Sequence, residues 1–199
     1  MANNESEAVA QEAVASTSSS PTTSVCEIKI ESVVKGYHHF RIRPHTDIPL
    51  KLVAEENNEH DIHAVGVWMP HLCDIPQQFH NDITRKERGK QPAQKVLDIA
   101  GRQVGRVPAN LCRMFRELLD NGTASKIMCH YTDDVGLSVK PSHHEKFQKG
   151  TKRLQDRPGG GAVLHCIYQV TVKNEKDVLS TREKLENIVA NMGTEGTLL

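Results

Sequence analysis

Two short stretches of this chain gather side chains suited to chemistry. The first is Asn57-Asn58-Glu59-His60-Asp61, followed at once by Ile62-His63-Ala64-Val65. Asn and Asp side chains hydrogen-bond their own backbone and tolerate unusual dihedrals, so this stretch predicts a polar turn. The apolar and β-branched residues after it predict a strand. The second stretch is Tyr37-His38-His39-Phe40-Arg41, rings beside a cation. His60, His63, His71 and Cys73 are of metal-ligand type, but their spacing fits no structural zinc pattern, so no metal site is expected. Asp61 beside His60 or His63 resembles a hydrolytic pair. The chain carries no G-x-S-x-G, no P-loop and no H-E-x-x-H, so no catalysis and no cofactor are expected.

The elements that must position these residues follow from periodicity. Residues 25–34 alternate and predict a first strand, residues 37–41 a polar-aromatic turn, 49–54 a second strand and 63–69 a third, with Trp68 in the core. Residues 70–94 form a long loop, functional or mobile. Residues 95–100 and 103–107 are expected to pair as a hairpin around Gly101-Arg102. Pro108 then opens a helix over 108–121, with Leu111, Phe115, Leu118 and Leu119 as its apolar stripe and Gly122 as its stop. Residues 125–131 predict a strand and 133–161 a second long loop. Residues 162–173 alternate, with Leu164, Cys166, Tyr168, Val170 and Val172 on one face, and 177–192 predict a helix with Val178, Leu185, Ile188, Val189 and Met192 inward.

The chain has 199 residues, enough for one domain plus tails. Residues 1–24 contain no aromatic and no basic residue and are expected to be a disordered tail, with the domain over 25–192 and a second tail over 193–199. Lys+Arg and Asp+Glu both number 25; Glu5, Glu7 and Glu12 lie in the first tail, so the remainder is mildly basic. Basic residues cluster as Arg85, Lys86, Arg88, Lys90 and Lys95, and as Lys140, Lys146, Lys149, Lys152, Arg153 and Arg157. They form either solvated loops or a phosphate-contacting rim. The five cysteines, an odd number without a C-x-x-C pair, predict free thiols, with Cys112, Cys129 and Cys166 buried. No apolar run approaches the roughly 18 residues of a membrane span. An intracellular protein is expected, nuclear or cytoplasmic, with the run Arg85 to Lys90 a candidate nuclear address.

The order Asn57-Asn58-x-x-Asp61, Ala64-Val65 and then Val104-Gly105-Arg106-Val107-Pro108 before a helix resembles the HIRAN domain. That small module precedes the motor in some DNA-repair helicase-like proteins and also occurs alone. The resemblance extends over roughly residues 27–190, including Val33-Val34 ahead of the ring cluster and the Leu164-His165 strand before the last helix. It implies an α+β, mostly β fold: a small OB-like barrel of about six strands with two helices, in agreement with the short strands and hairpin signals. It also implies a groove that holds the 3′ end of single-stranded DNA, with rings stacked on bases, the turn's Asp bonded to the terminal hydroxyl and basic residues on phosphate.

Carried onto this chain, Asp61 is the hydroxyl acceptor and Asn57 and Asn58 shape the turn. His60 stands where DNA-end readers have Tyr. Tyr37, His38 and His39 stand where they have Arg-Tyr-Tyr, Arg106 where they have His, and Ala109 where they have Lys. The usual Arg and Lys phosphate contacts are therefore missing, and Arg106 or Arg41 is the substitute. Local chemistry leaves alternatives open: Asp61 as a plain turn residue, and Tyr37 as a core-edge ring. The expected function is a nucleic-acid-binding module for single-stranded DNA, in DNA repair. The rival is an adaptor that holds protein partners through the loops 70–94 and 133–161.

Overall fold

A computed structural model describes residues 26–56, 58–87, 89, 92–138 and 161–199. Asn57, the 1–24 tail, Arg88, Lys90 and the second basic cluster lie outside the described residues. Strand β1, Cys26–Val34, is paired along its whole length with β8, Gly161–Val172. Its other partners follow from the antiparallel order β6-β3-β2-β7-β8-β1-β9. The members are β2 Leu50–Ala54, β3 Val65–Trp68, β6 Gln103–Arg106, β7 Ala124–Ser138 and β9 Thr197–Leu198. The sheet is open by its ladders, with β6 and β9 at the ends. One bridge crosses from β1 toward β6: Lys35 and Arg106 exchange both backbone hydrogen bonds, at 2.8 and 3.0 Å. The expected mostly-β α+β class is observed.

Side-chain alternation explains the core. Leu164, Cys166, Tyr168, Val170 and Val172 of β8 are all buried, as their period of two requires. Helix α3, Ala109–Asp120, turns Leu111, Phe115 and Leu118 onto that face. Phe115 meets Tyr168 edge-on, with ring centroids 5.2 Å apart. The Tyr168 hydroxyl donates to the Val33 carbonyl at 3.0 Å, so the one polar atom of that ring is satisfied within the core. Helix α4, Glu175–Ala190, and the turn after it bury Leu185, Val189 and Met192. No helix among the described residues is long and apolar enough to cross a membrane.

Several local expectations are corrected. Residues 37–41 form a one-turn helix, α1 Tyr37–Phe40, held between left-handed residues Gly36 and Arg41. Residues 95–100 do not form a hairpin with β6. Gln94–Lys95 (β5) pairs with Ile83–Arg85 (β4), and Val96–Ile99 becomes the short helix α2. A strand would have put Asp98 on the same face as Val96. The helical turn instead buries Val96 and Ile99 together and lets the Asp98 carboxylate accept the Lys95 N–H at 3.0 Å.

The loop 70–94 holds two 3-10 turns, Leu72–Asp74 and Gln77–Phe79, besides β4 and β5. Buried Ile75 anchors it, and the Val96 and Leu97 N–H groups donate to the Asp82 and His80 carbonyls. The loop 133–161 begins as a continuation of β7, past a bulge at which Asp133 has a φ of 63°. Residues 193–199, expected as a tail, fold back on β1: Thr197 and Leu198 pair with it, and Glu195 bonds Lys35 and Ser32. Trp68 is not in the core. Val65 and Val67 of β3, and Met69 just after it, point inward, which leaves Gly66 and Trp68 on the outer face.

The cysteines are free, with Cys112, Cys129 and Cys166 buried and Cys73 exposed. Burial pushes the Cys112 thiol up to about 11, and Cys129 is also pushed well up by burial. Because the thiolate is the reactive form, iodoacetamide near about pH 8 is expected to modify Cys73 in the native protein and spare these three until denaturant is added. Peptide mass spectrometry checks this, and early labelling of Cys166 would refute the packing described.

Candidate functional site

The site is assembled where β1 meets β6. Gly105 is what allows the approach: a Cβ there would lie 2.4 Å from the Lys35 carbonyl oxygen and 2.5 Å from Val34 Cγ1. With only hydrogen at that position the two strands reach hydrogen-bonding distance, and the chain leaves Lys35 directly into Gly36 and α1. The φ of 85° at Gly36 turns the backbone into the helix without the steric cost a Cβ would bring. Tyr37, His38 and His39 are thereby held beside β6.

On α1 the His38 and His39 rings are 4.0 Å apart and tilted by 45°. His39 is exposed and His38 half-buried. Burial, and then the charge of His39, lower the His38 pKa and favour its neutral ring. Tyr37 is partly buried against the core, which is the core-edge alternative. Arg41 closes the helix in the left-handed region, with its N–H on the Tyr37 carbonyl and its Nε 3.3 Å from the His38 carbonyl.

The polar turn is built as its residue types require. Asn58 Oδ1 accepts the N–H groups of His60 and Asp61 at 3.0 and 3.1 Å, and Asp61 Oδ1 accepts that of His63 at 2.9 Å. Asp61 therefore does turn a corner, and its Oδ2 takes no hydrogen bond from a described residue. His60 is exposed at the tip.

Glu55, which drew no attention in the sequence, connects turn and strand. Arg106 grips it with two prongs, Nε to Oε1 at 2.8 Å and Nη2 to Oε2 at 2.9 Å. Gln103 adds a bond to Oε1 and Asn58 one to Oε2, both 2.8 Å. Arg106 foremost holds the Glu55 carboxyl below its ordinary range. Glu55 foremost, with Asp61 as a lesser contributor, raises the Arg106 guanidinium. Asn58, Asp61 and Arg106 are thus brought into one cluster. Trp68 lies across Gly66 on the same outer face, where a Cβ on Gly66 would come 2.5 Å from the indole nitrogen.

A second polar group, also missed, is Arg43 with Tyr131 and Asp133. Arg43 Nε donates to the Tyr131 hydroxyl at 3.1 Å and Nη2 to Asp133 at 2.8 Å, while its backbone N–H meets Gln94. Arg85 donates to the Arg41 carbonyl at 2.9 Å, so part of the first basic cluster stands beside α1. Nothing in sequence spacing marks these partners, because 88 residues separate Arg43 from Tyr131. Among the described residues no three His, Cys, Asp or Glu side chains gather as a metal site.

Fold and site together define a small mostly-β α+β module, a curled antiparallel sheet that gathers rings, cations and a polar turn where β1 meets β6. The chain is similar in structure to the HIRAN domain of human HLTF, known from a crystal structure, with a TM-score of 0.44 and 13% identity over 81% of this chain and 92% of that one. No protein-family model matches the chain, and no curated protein matches it.

Proposed function

We propose that this chain is a nucleic-acid-binding module that holds single-stranded DNA by its 3′-hydroxyl end, without catalysis of its own. In this reading the sheet acts as a small OB-like barrel, closed by the Lys35–Arg106 bridge. The observation that carries it is the junction of β1 and β6. There the paired rings of His38 and His39, and Arg41, are held on α1 beside the strand whose Arg106 grips Glu55, the carboxylate that Asn58 of the turn also bonds. Rings stack on any base, the Arg41 guanidinium suits phosphate, and the open Oδ2 of Asp61 is an acceptor for a hydroxyl. The bond from Asp61 Oδ1 to the His63 N–H fixes the carboxylate, so the acceptor is preorganised.

The test is fluorescence anisotropy of the full chain with short labelled strands ending in 3′-hydroxyl or 3′-phosphate, at two salt concentrations. A 3′-hydroxyl preference and a loss of affinity with salt are expected. Asp61→Asn keeps an acceptor for the His63 N–H while removing the charge. It is expected to weaken hydroxyl-ended strands about tenfold, a loss of about 1.4 kcal/mol, and internal binding far less. Equal weakening of both would rule out end reading. The second reading is a protein adaptor that holds its partner through the loops 70–94 and 133–161. Absence of any strand binding at low salt would select it.

A further inference from the structure

Arg106 lies within electrostatic reach of Asp61, and it is already committed. Its fork is matched prong for prong by Glu55, whose side chain is only 17% exposed against 50% for Arg106. The Glu55 carboxylate receives four hydrogen bonds in all, from Arg106, Gln103 and Asn58, which leaves it little freedom to swing away. Asp61 adds a second negative charge within electrostatic reach of the same guanidinium. A terminal phosphate carries a charge of about −1.5 to −2 near neutral pH, whereas a terminal hydroxyl carries none. A phosphate brought here meets net repulsion and finds the Arg106 fork occupied. A hydroxyl meets a carboxylate oxygen that wants a donor.

Resting on the nucleic-acid reading above, we propose that Glu55 is the specificity-determining residue of this site. By holding Arg106 it refuses a terminal phosphate and leaves the neutral hydroxyl as the end group that the turn accepts. Glu55 acts through Arg106, so it is a positioning residue that need not touch the strand.

The experiment compares the full chain with Glu55→Gln, using labelled single strands that differ only in a 3′-hydroxyl or 3′-phosphate end. Gln keeps the shape and one acceptor but removes the charge that fixes Arg106. The hydroxyl-to-phosphate affinity ratio is expected to fall about tenfold in the variant, mainly through tighter binding of the phosphate-ended strand. In the double variant Glu55→Gln with Arg106→Gln that gain is expected to vanish, which a merely structural role for Glu55 does not predict. An unchanged ratio in a folded Glu55→Gln protein overturns the proposal while the nucleic-acid reading stands. Failure of the unaltered chain to bind either strand overturns both. Should Glu55→Gln not fold, Glu55→Asp asks the same question. It keeps the charge but is a methylene too short for both prongs, and an unchanged ratio there overturns the proposal equally.

Discussion

Replacing Phe115 by alanine is expected to remove about 3–5 kcal/mol of stability. Phe115 has no exposed surface, sits at the centre of the α3 stripe and closes on Tyr168 of β8. Its loss takes away the transfer free energy of the ring and leaves a cavity that α3 cannot collapse into while Leu111 and Leu118 hold it in register. Small domains have about 5–15 kcal/mol in total, so this single change removes a large share. In urea the midpoint should drop with the slope unchanged, and thermal melting should fall by roughly 10 °C or more. Leu179, which is 77% exposed on α4, is the matched control, and its alanine variant should stay within about 0.5 kcal/mol of the parent. A Phe115 variant as stable as that control would mean that α3 does not pack where it is described.

Gly105→Ala is the second large effect, expected at about 1–3 kcal/mol from overpacking alone. The added methyl would stand 2.4 Å from a backbone oxygen, that of Lys35, and no rotamer change removes that contact. The strands must part, and the two hydrogen bonds between Lys35 and Arg106 go with them, about 1 kcal/mol each. The consequence for the site is larger than for the core, because α1 follows Lys35 directly and Arg106 is the other end of the same bridge. Amide hydrogen exchange should therefore speed up at Lys35 and Arg106 while the long β1–β8 ladder stays protected. Strand binding should fall in the same variant. Protection at Lys35 that survives the substitution would show that the β1–β6 contact is not what seats α1.

Glu55 and Gly105 illustrate how differently parts of the site could be seen in advance. Gly105 stands inside Val104-Gly105-Arg106-Val107-Pro108, a pattern visible in the chain, although its reason, the closeness of Lys35, was not. The Asn58 and Asp61 turn was legible because its hydrogen bonds run over two or three residues, the range on which side-chain type acts. Glu55 was overlooked because its partner Arg106 is 51 residues away. Arg43 was overlooked for the same reason.

What the sequence alone determined is what repeats over neighbouring residues. The alternation of β8 and the apolar stripes of α3 and α4 show as patterns with a period of about 2 or 3.6 residues, and the polar turn as hydrogen bonds over two or three residues, each holding wherever the element is placed. Tertiary structure decided the rest. Val96 to Ile99 is too short an apolar run to distinguish strand from helix, and only the pairing of Gln94 and Lys95 with β4 settled it. Trp68 went to the outer face because Val65 and Val67 of β3, and Met69 just after it, were there to bury. The end of the chain became a strand because the free side of β1 offered unpaired backbone groups beside Lys35 and Ser32. The same choice of strand neighbours brought Arg106 to Glu55, since a contact between distant residues depends on register, and register is a property of the whole sheet.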